Sequence, residues 1–177
     1  MTSLEIFDVG GTASFWQHST LLTHPGIRIT LLNLHLEATN HPSIQAVQGD
    51  ATDLKEFSAQ NFDLVFSNSV IEHVYSFENQ QKMALEIRRV GKNYFVQTPN
   101  KYFPIEVHYA LPFAQFYPKG VLKFILTRTK LSRLKSWNEQ EANQYLEEIR
   151  LLHEKEMIGL FPGATMLKET VLGITKS

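Results

Sequence analysis

Five short apolar segments, each closing on small or hydrogen-bonding residues, limit the folds open to this chain. They are Leu4–Val9, Arg28–Leu32, Ile44–Val47, Phe62–Phe66 and Tyr94–Gln97. All are rich in β-branched or aromatic residues and too short to be helices. Between the fourth and the fifth, Met83, Ala84, Ile87 and Val90 recur at helical spacing over Glu78–Val90. Strands alternating with helical stretches predict a parallel sheet with right-handed crossovers. The nearly unbroken apolar runs predict that both faces of that sheet are covered.

Beyond Pro99 the texture changes. Residues 102–118 hold Tyr102, Phe103, Tyr109, Phe113, Phe116 and Tyr117 among Pro104, Pro112 and Pro118. Residues 119–135 carry Lys119, Lys123, Arg128, Lys130, Arg133 and Lys135 and no acid. The aromatics read either as a small subsidiary core or as a hydrophobic substrate pocket. The basic stretch reads either as a peripheral contact with anionic lipid or as charge neutralised by Glu139, Glu141, Glu147 and Glu148 downstream. Residues 138–158 predict one helix, with Ser136 and Asn138 as caps and Tyr145, Ile149, Leu152 and Met157 as its apolar stripe. Thr165–Leu167 and Val171–Ile174 predict a terminal hairpin. One domain over 1–177 is expected, with an aromatic and basic insertion at 101–135.

Composition narrows the chemistry. At 177 residues with 43% apolar and 20% charged side chains, the chain is an ordinary globular protein. Seventeen basic against eighteen acidic residues give a formal charge of −1, so no global field draws in nucleic acid, and none is expected as a partner. The absence of cysteine excludes disulfides, thiolate metal sites and cysteine nucleophiles, and no metal site is expected. No leader-like N-terminus and no apolar run of ~20 residues is visible, which makes a cytoplasmic location the default.

In an open parallel sheet, ligands bind beyond the carboxyl ends of the strands, where strand order reverses. The residues at those positions are Asp8, Gly10, Gly11 and Thr12; then Asn33, His35 and Glu37; then Asp50, Ala51 and Thr52; then Ser67, Asn68, Ser69, Glu72 and His73. Such small and hydrogen-bonding tips suit a ligand combining an amino acid with a nucleoside. Gly10-Gly11 alone is either a tight turn or a close approach to a ligand. With neither G-x-G-x-x-G nor a P-loop present, a phosphate cradle is disfavoured, and a nicotinamide dehydrogenase with it.

The stretch Ile6-Phe7-Asp8-Val9-Gly10-Gly11-Thr12 resembles the first motif of class I S-adenosylmethionine-dependent methyltransferases. Gln48-Gly49-Asp50-Ala51-Thr52-Asp53-Leu54 is similar to their adenine-contacting motif. Phe62 to Val74, with Asp63, Asn68, Ser69, Glu72 and His73, is similar to the fourth-strand motif of the type 11 small-molecule group. Phe161-Pro162-Gly163-Ala164 and Gly173-Ile174-Thr175-Lys176 resemble that group's tail.

The resemblance implies a Rossmann-like, doubly wound α/β fold with a mostly parallel seven-stranded sheet and an antiparallel terminal hairpin. The chain starts almost at the first strand, so the family's N-terminal lid helices are expected to be lacking, and a partner is one expected source of cover. The implied activity is methyl transfer from S-adenosyl-L-methionine, giving S-adenosyl-L-homocysteine, to a small-molecule or lipid-like acceptor. The alternative is a non-catalytic binding module that acts with a partner. Asp8 and Gly10 to Thr12 would surround the methionine moiety, and Asp50 and Ala51 the adenine. Asn68 and Ser69 would line the sulfonium. Asn33 stands where the family usually has an acid for the ribose hydroxyls, a role Glu37 takes if its loop folds back. His73 and His108 are the candidate catalytic bases, each also readable as a structural histidine. Peripheral membrane contact through 119–135 and a homodimer are the arrangements this reading allows.

Overall fold

β1 (Leu4–Val9) is buried without a break from Ile6 to Val9, a pattern only a strand covered on both faces tolerates. In the computed structural model, which describes residues 3–177, this strand lies at the centre of a five-stranded sheet. β2 (Ile27–Asn33), β3 (Ile44–Gln48), β4 (Phe62–Asn68) and β5 (Gly91–Gln97) complete it in the order β3-β2-β1-β4-β5. All neighbouring strands are parallel. The expected strands are all present. The fifth begins earlier than Tyr94 because it is an edge strand, where Lys92 and Asn93 stay exposed and Lys92 pairs with Asp63 at 2.7 Å.

The chain divides into two compact units, one of residues up to 71 with 78–97, the other of 72–77 with 98–177. In the first unit, one full helix, α2 (Phe77–Val90), connects β4 to β5 and buries Met83, Ala84, Ile87 and Val90, the face read from the sequence. α1 (Ala13–Trp16) is a single turn after β1. The β2–β3 and β3–β4 connections contain no helix, unlike the regular alternation expected. The β3–β4 loop instead borrows partners from α2. Leu54 N donates to Glu86 Oε2 at 2.8 Å, and Arg89 donates to the carbonyls of Phe57 and Leu54 at 2.7 and 2.8 Å. Aromatic packing fixes the same loop: Phe7 stacks on Phe62 with ring centroids 4.3 Å apart and meets Phe57 at 5.0 Å.

The second unit contains the hairpin β6 (Ile105–Glu106) and β7 (Leu111–Pro112), then α3 (Lys119–Arg128), α4 (Glu139–Glu148) and α5 (Glu154–Leu160). Two expectations are corrected here. The sheet has five strands rather than seven, because the tail hairpin, β8 (Thr170–Val171) with β9 (Ile174–Thr175), pairs only with itself. Its turn lies at Leu172 and Gly173, both at positive φ, so the strands fall later than Thr165–Leu167 and Val171–Ile174. The helix expected over 138–158 is two helices. Between them Arg150 N donates to Glu72 O, Lys101 N donates to Leu152 O, and His153 restarts the helix through a capping box with Glu156.

Part of the aromatic segment forms a subsidiary core: Tyr109, Leu111, Leu122, Leu126, Trp137 and Ala142 pack together. Because Phe7 anchors both the sheet centre and the β3–β4 loop, Phe7→Ala is expected to lower the unfolding free energy by about 3–5 kcal/mol. Urea denaturation measures this directly, and a loss under about 1 kcal/mol contradicts the packing described.

Candidate functional site

Strand order reverses at β1: the chain moves outward to β2 and β3 on one side, then returns to β4 and β5 on the other. All the sequence-predicted ligand residues of the first unit lie at this sheet's carboxyl edge. Gly10, Gly11 and Thr12 follow β1, Asn33 ends β2, Asp50 and Ala51 follow β3, Asn68 ends β4 and Ser69 follows it. Hydrogen bonds knit the tips together. Gly10 N donates to Leu32 O at 2.8 Å, Asn33 Nδ2 to Gly11 O at 2.8 Å, and Gly49 N to Asn33 O at 2.9 Å. Ser69 is held at φ 57°, a left-handed conformation that costs a non-glycine residue about 1–2 kcal/mol, with its N–H on Gln97 O.

The two glycines are required by close packing. A Cβ on Gly10, at φ +78°, would lie 2.5 Å from Val70 Cγ2, and one on Gly11 would lie 1.7 Å from Asp8 Oδ2. Asp8 is 1% exposed and accepts a hydrogen bond from Trp16 Nε1 at 2.6 Å. Burial pushes its carboxyl up to about 6; the Trp16 bond opposes the rise, and the negative charge of Glu37 adds to it. The Glu37 loop does fold back, since Glu37 Oε1 accepts from Ala13 N at 3.0 Å. Asp50 is exposed, and its Oδ1 accepts from both the N–H and the hydroxyl of Thr52 at 2.8 Å, an Asx turn.

In the second unit, His73 and His108 meet. His73 ends a 3-10 turn, His108 lies in the β6–β7 loop, and their Nε2 atoms are 3.1 Å apart. His108 Nδ1 is 2.6 Å from Glu106 Oε1, and His73 Nδ1 is 2.7 Å from Glu148 Oε1. Glu72 is fully buried, and its Oε2 accepts from Thr98 Oγ1 at 2.9 Å. Burial raises its carboxyl above the ordinary range, against the opposing effects of Thr98 and the two histidines. Sequence reasoning placed Glu72 and His73 after the fourth strand and named His73 and His108 as candidate bases, but missed this cluster. Glu106, two residues from His108, carried a local signal; Glu148, far from His73 in sequence, carried none.

The basic segment divides between surface and core. Leu122 and Leu126 of α3 are buried, whereas Val121, Phe124, Leu131 and Leu134 are exposed. Among the described residues, no helix is long and apolar enough to cross a membrane.

An open parallel sheet with its strand order reversing at β1 is a Rossmann-like fold. Residues 11–94 match the family model of the methyltransferase domain, type 11, so the resemblance read from the motifs is borne out. In fold, the chain is similar to a chain of the complex between the Haloferax volcanii Trm112 methyltransferase activator and the putative methyltransferase. That match has a TM-score of 0.53 and 15% identity and covers 90% of this chain and 60% of that one. It is also similar to a putative methyltransferase from an antibiotic biosynthesis pathway of Anabaena variabilis, with TM-score 0.47, 18% identity and coverages of 60% and 43%. A SAM-dependent methyltransferase from Aquifex aeolicus matches with TM-score 0.46, 12% identity and 71% of both chains covered. The chain thus spans about 60% or less of the length of the first two neighbours. No curated protein matches the sequence.

Because the folded Asp8 carboxyl titrates near 6, above its unfolded value of 3.8, the folded state binds that proton more tightly. Its stabilising contribution is complete below the unfolded value and fades as pH climbs through the folded one, by about 3 kcal/mol in total. Asp8→Asn keeps an acceptor for Trp16 and removes the titration. Urea unfolding of both proteins between pH 4 and pH 7 is expected to show the variant gaining on the wild type as pH rises; a constant difference contradicts the assignment.

Proposed function

We propose that this chain is an S-adenosylmethionine-dependent methyltransferase acting on a small-molecule or lipid-like acceptor. The observation that carries the reading is the convergence of Gly10–Thr12, Asn33, Asp50–Ala51 and Asn68–Ser69 on one carboxyl edge, within a domain matched by the methyltransferase family model. In this reading the backbone of Gly11 and Thr12 meets the methionine carboxylate and amine. Asp8, buried beneath that turn, supplies negative charge toward the cationic end of the ligand. Asn33 uses Oδ1 toward a ribose hydroxyl while Nδ2 stays on Gly11 O, and Glu37 contributes the carboxylate that β2 lacks. Asp50 keeps Oδ2 for the exocyclic amine of adenine, and Ala51 N faces a ring nitrogen.

Methyl transfer from a sulfonium is an in-line displacement that releases a neutral thioether. Alignment of nucleophile, methyl carbon and sulfur is therefore the main demand, and proximity supplies up to about 7–11 kcal/mol in ideal cases. A base is needed only where the acceptor must lose a proton. His73 and His108 enter this reading as one unit rather than as two separate bases. With both Nδ1 atoms engaged by carboxylates, only the facing Nε2 atoms can take up a proton or a Lewis acid.

A lipid-like acceptor is supported by the exposed apolar side chains Phe124, Leu131 and Leu134 interleaved with Lys123, Lys130 and Arg133, a composition suited to an anionic lipid surface. The cysteine-free composition is compatible with a cytoplasmic location.

Calorimetric titration tests the reading. S-adenosylhomocysteine is expected to bind, and Asp50→Ala to weaken it about 5–150-fold, the equivalent of one buried contact of about 1–3 kcal/mol. No binding at millimolar ligand favours the non-catalytic module, and an unchanged dissociation constant in Asp50→Ala overturns the adenine assignment.

A further inference from the structure

The second unit buries more acid around His73 and His108 than either its packing or a proton relay requires. Glu72 is 0% and Glu106 2% exposed, and Glu148 is half-buried. Both outer carboxylates act as acceptors with their second oxygens as well: Glu106 Oε2 takes the Tyr109 N–H at 3.0 Å, and Glu148 Oε2 the Gln144 amide at 3.3 Å. A carboxylate accepts, so each histidine directs its Nδ1 hydrogen outward to its glutamate, and the two Nε2 atoms face each other. Those two atoms are 3.1 Å apart, with the rings inclined at 77°. Two imidazole nitrogens face each other at that distance only with a proton or a metal cation between them.

One shared proton would satisfy the imidazoles but not the third member of the group. Glu72 Oε1 lies 3.9 Å from His108 Nε2, is buried, and has no hydrogen-bond partner among the described residues. Thr98 pins the other oxygen, which leaves Oε1 aimed at the histidines. An unpartnered buried carboxylate oxygen is costly, and here it lies beside the two facing imidazole nitrogens. All three ligand atoms lie within 4.8 Å of one another. A tetrahedral ion with bonds of about 2.05 Å sets neighbouring ligands about 3.3 Å apart, between the two separations seen here.

We propose that His73 Nε2, His108 Nε2 and Glu72 Oε1 form a binding site for a divalent transition-metal cation, with Glu148 and Glu106 orienting the two imidazoles. Two nitrogens with one oxygen suit zinc, cobalt or iron, whereas magnesium and calcium prefer all-oxygen sites. Three protein ligands leave a coordination position for solvent. The carboxylates on both Nδ1 atoms fix the tautomers and raise ligand basicity. A divalent charge also offsets the surrounding acids more fully than a single proton does.

The test uses the whole chain, stripped with a chelator and titrated with cobalt chloride and, by calorimetry, with zinc and magnesium chlorides. The expected result is equimolar cobalt and zinc binding at micromolar or tighter affinity, visible d–d bands from cobalt, and no magnesium binding. His108→Gln and His73→Gln are each expected to weaken zinc at least 100-fold, and Glu106→Gln about 10–100-fold. Zinc is expected to raise the melting temperature of the wild type and of the exposed control His18→Gln, but not of the ligand variants. Should His108→Gln fail to fold, the half-buried His73→Gln provides the same reading. Absence of cobalt binding, or affinity unchanged in both histidine variants, overturns the proposal. The titration contains no methyl donor, so its failure leaves the cofactor reading untouched, and failure of that reading leaves this one standing.

Discussion

A parallel pair of strands can be joined only if the chain crosses back to its starting side, so all five carboxyl ends of this sheet lie on one edge. Strand order reverses at β1, and the connections leaving β1 and β4 part there. This constraint gathers residues from positions 8 to 69 without any local sequence relation between them. Gly11, Asn33 and Gly49, at the ends of three different strands, form one continuous hydrogen-bonded run. The same edge imposes costs. Gly10 and Gly11 admit no side chain, Ser69 is held left-handed, and Asp8 is buried against Trp16.

Each of the two units contains a buried carboxyl whose proton is held more tightly by burial, with very different surroundings. Asp8 has one donor in Trp16 and a negatively charged neighbour in Glu37, so folding works against its ionised form. Glu72 has Thr98 on one oxygen and two imidazoles opposite the other. A group of the first kind responds to a ligand's positive charge, and one of the second to anything that accepts several lone pairs at once. Neither carboxyl is placed there by the needs of the apolar core.

Much of the sheet was legible in the sequence because strand periodicity and buried runs are local signals. β1 was read to the residue, and the buried face of α2 followed from the spacing of Met83, Ala84, Ile87 and Val90. What was not legible depended on contacts between distant segments. The break in the 138–158 helix follows from Arg150 bonding to Glu72 and Leu152 to Lys101, pairings that helical propensity cannot anticipate. The tail hairpin has strand-like composition, but only pairing decides whether it joins the sheet. The strand-tip residues were legible through their order after each strand. The partnership of Glu148 with His73 was not, since 75 residues separate them.

The central claim is that the tips of β1 to β4 make one site for a phosphate-free nucleoside bearing an amino acid. The most direct measurement is a backbone amide NMR titration of the labelled chain with S-adenosylhomocysteine. The account predicts saturable shifts concentrated at Gly10–Thr12, Asn33, Asp50–Ala51 and Asn68–Ser69. Shifts centred on other segments, or none at millimolar ligand, would contradict it.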